Sequence, residues 1–600
     1  MNDSSLLAAV DNAVRDGVLS SSARVNIRRW LVEPRYEEYR GEVAQRISAS
    51  NWRELDDAFW TVIPFGTGGR RGRMYPVGSN AINDRTIGES AQGLADYVRT
   101  QPLAGPLSCA IAYDTRHNSR HFAELCAGIM VAAGFRVYFL DDYRATPQLS
   151  YLVRMKKCSC GIMVTASHNP PSDNAVKVYW STGGQVLPPH DKAIIDGVMN
   201  VERIERVGFA EAVADGRVVI CTAELDAAFA AELVRQQLPG PRSLKVVYSP
   251  LHGVGAAAVM PALASDGFKD VELFAPHAQP DGDFPNVPGH VSNPENPRVF
   301  DAMIAHAQQT DAELVMATDP DCDRLGCAAP LTLDPRGPWG TFTGNQIGAL
   351  LVDYVLEQRA KAGPLRREQF VVKTLVTTEL VRRIADSYGV TTYGNIHVGF
   401  KWIAQVVDER GPEQFLFGTE ESHGYMIGHY VRDKDGAVAA MLMAELAASA
   451  KSQGKSLHQK LEALYWQHGY HAEHTLNLTM EGSQGMARMQ ALMELLRSDP
   501  PESLGGIRVA QCRDYKSLRT RRGSQTQDLD APAADMVILD LAEEGNYVAV
   551  RPSGTEPKVK FYMFTFVAAE LLSNLDRARN EMRQRMENIE KDLRGIAGRV

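Results

Sequence analysis

Cysteine is sparse in this chain, and its placement rules out several architectures. The eight cysteines, at 109, 126, 158, 160, 221, 322, 327 and 512, include no C-x-x-C pair and no metal-finger spacing. They read as reduced thiols of a cytosolic protein. Positive charge is also short: a net charge of −9 argues against a nucleic-acid or anionic-membrane partner. No apolar run approaches the ~20 residues of a membrane span, so none is expected. Met1 to Ser5 lack a basic region followed by an apolar core, so no signal peptide is expected. A Walker-type G-x-x-x-x-G-K-[ST] is missing.

The composition, 44% apolar and 23% charged, is that of an ordinary globular protein. Six hundred residues exceed one hydrophobic core and predict roughly three to five domains at ~150 residues each. An anionic ligand would need local basic clusters against this mildly acidic background.

Residues 1–60 read as helical, with amphipathic pieces at Val25–Leu31 and Tyr36–Ile47 and a Trp/Leu-rich stretch at 52–60. The segment from Pro64 to Arg73 reads as one loop in which Arg70, Arg71 and Arg73 interleave with glycines, a combination suited to an anion. From there an order of elements recurs three times. Strands expected at 107–113, 136–140 and 160–164 alternate with helices at 118–133 and 147–156. Equivalent rounds run over 244–317 and 369–417. Alternation of this kind predicts mostly parallel α/β sheets. Each round ends in a loop rich in reactive side chains, and the remainder reads as a smaller α+β domain closed by a charged helix at 567–595. The Pro/Gly/Asn-rich 275–298 reads as a long surface insertion.

The first of those loops holds Ser167 and His168, and a serine there is a candidate nucleophile at the carboxyl end of a strand. The second places Asp319, Asp321 and Asp323 at alternating positions, which suits Mg²⁺. An EF-hand is excluded because loop position six is Arg324 and position twelve is Pro330. The third offers Glu420, Glu421 and Ser422 to a polyol, while His423 and His429 read as structural. A fourth segment, Arg551 to Thr555, supplies a guanidinium, two hydroxyls and a glycine amide for a phosphate, with Lys558 and Lys560 nearby. Gly253-Val-Gly255-Ala-Ala-Ala258 imitates a dinucleotide fingerprint, but Pro250-Leu-His252 lengthens the turn ahead of it.

Taken together, Thr165-Ala-Ser-His-Asn-Pro170, Asp319-Pro-Asp-Cys-Asp-Arg324, Gly418-Thr-Glu-Glu-Ser422 and Arg551-Pro-Ser-Gly-Thr-Glu-Pro557 resemble the four signature loops of the α-D-phosphohexomutase superfamily. Tyr248-Ser-Pro-Leu-His-Gly-Val-Gly255 is similar to a second-domain turn of that family. The resemblance covers about residues 60–565. It implies three similar α/β domains with mixed, mostly parallel sheets, plus a C-terminal α+β domain, around a central cleft. The expected boundaries are 1–210 (N-terminal helices and phosphoserine domain), 211–340 (metal), 341–455 (sugar) and 456–600 (phosphate).

By the same resemblance, the activity would be interconversion of glucose 1-phosphate and glucose 6-phosphate. It would pass through phosphorylated Ser167 and glucose 1,6-bisphosphate, with Mg²⁺ on Ser167, Asp319, Asp321 and Asp323. Ser167, His168, Lys177, Lys434, Arg71 and Arg324 would be catalytic. Glu420, Ser422, Gly399 and Lys401 would face the sugar, and Thr67, Arg551, Ser553, Gly554, Thr555 and Lys560 would also contact the substrate. The partners would be small sugar phosphates, with no nucleic acid or membrane, and the protein a cytoplasmic monomer or homodimer. Alternatives are phosphomannomutase or phosphopentomutase activity, or a silent sugar-phosphate-binding protein. The chain departs from the family at Gly68-Gly69-Arg70, where relatives often have serine and an aliphatic residue, and His423 stands where relatives vary.

Overall fold

The computed structural model describes residues 3–66, 68–102, 105–480, 485–553 and 558–600. Thr67, Gly554 and Thr555 lie outside the described residues.

Four sheets organise the described residues. In the first, the strands run in the order Gly69–Arg73, Asp173–Trp180, Cys160–Val164, Ser108–Tyr113, Arg136–Phe139, Val218–Ile220. The three pairings from Cys160–Val164 onward are parallel, and the two on the other side are antiparallel. Side chains alternate across this sheet. Cys109, Ile111 and Tyr113 pack with helices Asp84–Arg99 and Ser119–Ala132, whereas Ala110 and Ala112 pack with Thr146–Met155. A sheet covered on both faces explains why its strands are apolar throughout.

The second sheet (Trp339–Thr341, Leu325–Pro330, Leu314–Thr318, Lys245–Ser249, Asp270–Leu273) and the third (Thr391–Tyr393, Phe370–Lys373, Phe415–Glu420, Gly424–Met426) repeat the plan. In all three, the strand leading to the reactive loop is followed by an antiparallel return strand: Asp173–Trp180, Leu325–Pro330 and Gly424–Met426. The loops are therefore hairpin tips. Each tip carries a non-glycine residue in the left-handed region, Ser167 (φ 51°), Cys322 (φ 53°) and His423 (φ 63°). Such backbone is sparsely populated for L-residues and persists where the surroundings over-determine it.

Helix Gly436–Ser452 is alanine-rich and buried from Gly436 to Ala450. It lies in a single apolar core shared by the second and third sheets. The fourth sheet is antiparallel and includes Tyr470–Thr479, Lys558–Val567, Tyr547–Pro552, Val537–Leu541 and Ile507–Asp514. Helix Leu575–Ala597 packs on it. The N-terminal helices Asp3–Arg15, Ser21–Val32, Arg40–Ser48 and Trp52–Phe59 gather around Trp30, which stacks on Tyr36 at 4.5 Å and meets Phe59 edge-on at 5.4 Å.

Two expectations need correction. The arginine/glycine segment is not one loop, because Gly69–Arg73 pairs with Asp173–Trp180 as an edge strand. Gly69 fits there because a side chain would overlap the backbone of Val176. The 275–298 segment is not merely a surface insertion either: Phe284 and Val287 are buried in a core with Val247 and Phe300.

Candidate active site

Ser167 stands at the first hairpin tip. Its N–H donates to Thr165 Oγ1 at 2.8 Å, and Thr165 in turn donates to Asp114 at 2.6 Å. Its Oγ donates to Asp319 Oδ2 at 2.8 Å and lies 3.2 Å from His168 Nδ1. One oxygen from each of Asp319, Asp321 and Asp323 lies within 4.8 Å of the others, and all three residues are buried. Asp321 Oδ1 and Asp323 Oδ1 have no hydrogen-bond partner among the described residues. Buried carboxylates grouped this closely, two of them with an oxygen lacking a partner, are what a hard divalent cation takes up. The residues fit a metal.

Lysines and arginines ring the cluster. Lys177 Nζ donates to Asp321 at 2.8 Å and is 3.8 Å from Asp323; Lys434 Nζ is 2.9 Å from Asp323. Arg324 Nε is 3.9 Å from Asp319 and 3.8 Å from Asp323, and its guanidinium is bonded to Glu295. Arg71 holds Ala166 O and Asn169 Oδ1, fixing the serine loop from below.

The electrostatics of the cluster are uneven. Burial, reinforced by Asp323 and Asp321, pushes Asp319 far above the usual carboxylate range. Asp321 moves the other way: burial opposes ionisation, but Lys177 and Thr146 hold it well below that range. Burial and the neighbouring Arg324 and Arg71 drive His168 well below its ordinary value, so it is neutral. Burial pushes Glu420 up to about 7.

Several other expected positions line one of two cavities, whereas Gly399, Glu420 and Ser422 line neither. Arg71, His168, Arg324, Ser553, Lys558 and Lys560 line a hollow of about 730 Å³. Lys401, Arg551 and Ser553 line a larger one of about 1100 Å³. Ser553 belongs to both. Arg551 and Lys560 are cross-strand partners in the fourth sheet. Gly399, with φ 117°, opens helix Phe400–Arg410, and Lys401 reaches Val186 O at 3.3 Å and Asp191 at 3.7 Å. Ser422 donates to Glu421 at 3.1 Å, and His423 is buried with Nδ1 3.0 Å from Leu325 O.

Gly253 and Gly255 serve packing: a Cβ at the first would overlap Pro320, and at the second Tyr248 and Thr318. The glycines let the turn close against the aspartate loop, which accounts for the dinucleotide-like pattern.

Three further residues hold the site and went unnoticed in the sequence. Arg116 is buried and donates to the carbonyls of Ser167, Pro170 and Asp173. Asp433 accepts from Tyr179 at 2.8 Å and so ties the first sheet to the segment carrying Lys434. Glu295 is the partner of Arg324. Asp114-x-Arg116 directly after a buried strand was the one local signal available.

Models of the phosphoglucomutase/phosphomannomutase α/β/α domains I, II and III match residues 63–205, 227–331 and 343–468. The phosphoglucomutase of Staphylococcus haemolyticus (strain JCSC1435) is 34% identical over 526 residues, 85% of this chain and 91% of the relative. The chain belongs to the phosphoglucomutase/phosphomannomutase family. It is accordingly a phosphotransferase of the isomerase class. The phosphoglucomutase of Staphylococcus aureus (strain USA300) is 33% identical over 533 residues, again 85% of this chain and 91% of the relative. Among solved structures, the family fold recurs in the open form of the Paramecium phosphoglucomutase pp63/parafusin. That structure has a TM-score of 0.65 at 16% identity, over 89% of this chain and 95% of that one. A phosphoglucomutase/phosphomannomutase family protein from Burkholderia thailandensis gives 0.62 at 18% identity, over 88% and 98%. Among the described residues, no helix is long and apolar enough to cross a membrane.

Proposed function

We propose that the chain interconverts glucose 1-phosphate and glucose 6-phosphate through a phosphoserine at Ser167 and glucose 1,6-bisphosphate. The observation that carries this reading is Ser167 Oγ lying 2.8 Å from Asp319, beside a hollow rimmed by Arg71, Arg324 and Lys560. Asp319, Asp321, Asp323 and an oxygen on Ser167 would hold Mg²⁺. Bound there, the ion supplies charge neutralisation at the transferring group.

The chain's own residues account for the rest. Arg551, Ser553 and Lys560 grip the distal phosphate, with Thr67, Gly554 and Thr555 as further expected contacts. Glu420 and Ser422 hold sugar hydroxyls, and Gly399 and Lys401 face the sugar from the third sheet. The free sugar hydroxyl attacks phosphorus; the new P–O bond forms as the P–Oγ bond of Ser167 breaks. The attacking hydroxyl passes its proton to neutral His168, and the departing Oγ takes and keeps one from Lys177, so the proton count is unchanged. Lys434 and Arg324 stabilise the equatorial oxygens. After the bisphosphate turns over, the reverse transfer returns its other phosphate to Ser167. Two anion sites, one at Ser167 and one at Arg551, are what a flipping bisphosphate requires. Eight buried free thiols agree with a cytoplasmic setting.

A coupled assay over glucose, mannose and ribose 1-phosphates tests the substrate. Glucose 1-phosphate should give the highest kcat/KM; a clearly higher value for mannose or ribose would replace this reading.

A further inference from the structure

A second basic pocket lies at the joint between the N-terminal helices and the first sheet, away from the catalytic hollow. Arg29 and Arg35 share Glu33, at 2.9 and 2.7 Å, and Arg70 and Arg85 share Glu89, at 2.8 Å each. Four guanidiniums are thus balanced by two carboxylates. Arg35 and Arg85 also lie over the Tyr36 ring, at 5.4 and 5.1 Å. Arg29, Arg35 and Arg70 line a cavity of about 90 Å³, together with Asn26, Trp30 and Ser79; Glu89 is the only carboxylate lining it among the described residues.

Two donors at this cavity are unmatched. Trp30 Nε1 and Arg70 Nε have no hydrogen-bond partner among the described residues, and the two residues are only 2% and 1% exposed. Buried donors left unpaired, and the two buried guanidiniums of Arg70 and Arg85 against the one carboxylate of Glu89, are both costly. An oxyanion relieves both at once, because it brings negative charge and several acceptors. The size limits the occupant. At about 90 Å³, the smallest of the cavities described, the pocket has room for a tetrahedral ion.

We propose that this pocket binds a small tetrahedral oxyanion of the phosphate class, held by Arg70 Nε and Trp30 Nε1 and closed by Arg29 and Arg35. Neighbouring side chains on a strand point to opposite faces, so Arg70 turns inward to this pocket while Arg71 turns to the serine loop. The bound ion therefore braces the strand that positions Arg71, and joins it to helices lying ahead of residue 63, where the first family match begins. The site stands independently of the substrate proposed above.

Crystals of the full-length protein soaked in millimolar sodium selenate give the direct test. An anomalous peak within hydrogen-bond reach of Arg70 Nε and Trp30 Nε1 is expected, lost in Arg70→Leu and weakened in Trp30→Phe, which keeps the ring but removes the donor. In solution, 10 mM inorganic phosphate should raise the Tm of the unmodified protein by about 2 °C, and that rise should be at least halved in Trp30→Phe. Only water in the pocket, a peak of equal occupancy in both variants, or an equal Tm rise in Trp30→Phe would overturn the proposal.

Discussion

Ser167 Oγ and Asp319 Oδ2 lie 2.8 Å apart although 152 residues separate them in sequence. The two belong to different sheets, and each stands at the tip of a hairpin whose first strand runs parallel with its neighbour on the side away from the hairpin. Open α/β sheets place their sites at the carboxyl ends of strands, and here two such ends face each other. From that meeting it follows that Ser167→Ala should lower kcat by at least about a thousandfold. Intact mass should also fail to rise by one phosphoryl group after incubation with glucose 1,6-bisphosphate. A phosphorylated variant, or one with ordinary turnover, would remove Ser167 from the chemistry.

Asp321 faces both Lys177 and the centre of the carboxylate cluster. Chelation with EDTA should abolish turnover, and added Mg²⁺ should restore it. Asp321→Asn, which keeps size but halves the ligand's acceptor capacity, should lose about a hundredfold in kcat and need more Mg²⁺ for half-maximal rate.

Arg116 clamps the four carbonyls of Ser167, Asn169, Pro170 and Asp173 from a buried position. A lysine cannot reproduce its planar fork. Arg116→Lys should therefore reduce kcat by about ten- to a hundredfold with little change in KM, as measured in the coupled assay.

Glu295 occupies the guanidinium of Arg324, which lines the catalytic hollow. Glu295→Gln should free that cation for phosphate oxygens and lower KM for the sugar phosphate several-fold, about 1 kcal/mol of binding. An unchanged KM would make the pair purely structural.

His471, in strand Tyr470–Thr479, is buried against Phe566 at 4.6 Å between ring centres. Burial, with Arg383 nearby, lowers it to about 3. Its folded value is thus below its unfolded one, so the unfolded chain binds the extra proton. Stability is full above about pH 6.5 and is lost as pH falls from there toward 3, at up to about 1.4 kcal/mol per pH unit. His471→Phe should flatten the acid limb of urea-denaturation midpoints between pH 4 and 6.5. An unchanged slope would show that this ring does not titrate in folding.

Much of this architecture could be read from the chain, and the misses share a cause. Buried parallel strands such as Ser108–Tyr113 and Leu314–Thr318 are continuous apolar runs and stand out. The return strands Asp173–Trp180 and Gly424–Met426 do not, because they begin inside polar turns. Gly69–Arg73 has the composition of a loop and becomes a strand only by pairing. Asp319, Asp321 and Asp323 were legible because they alternate within five residues. Arg116, Glu295 and Asp433 were not, since each acquires its role from a partner in another segment. Ser553, Lys558 and Lys560 turn to the same hollow as Arg71, whereas Arg551 opens into the adjoining cavity, a division no local pattern encodes.

Helix Gly436–Ser452 carries a mechanical corollary. It has no outer face: its alanines and methionines are the filling between two sheets, and Gly436 sits so close to Cys322 and Arg324 that a methyl group would collide with their carbonyls. Parting those sheets would wet the whole helix, so they behave as one rigid jaw. Any opening that admits ligand would then fall to the fourth sheet, which meets that jaw in a small cluster around Leu375, Val376 and Tyr515 and, beside helix Leu575–Ala597, through Tyr470 and Val567.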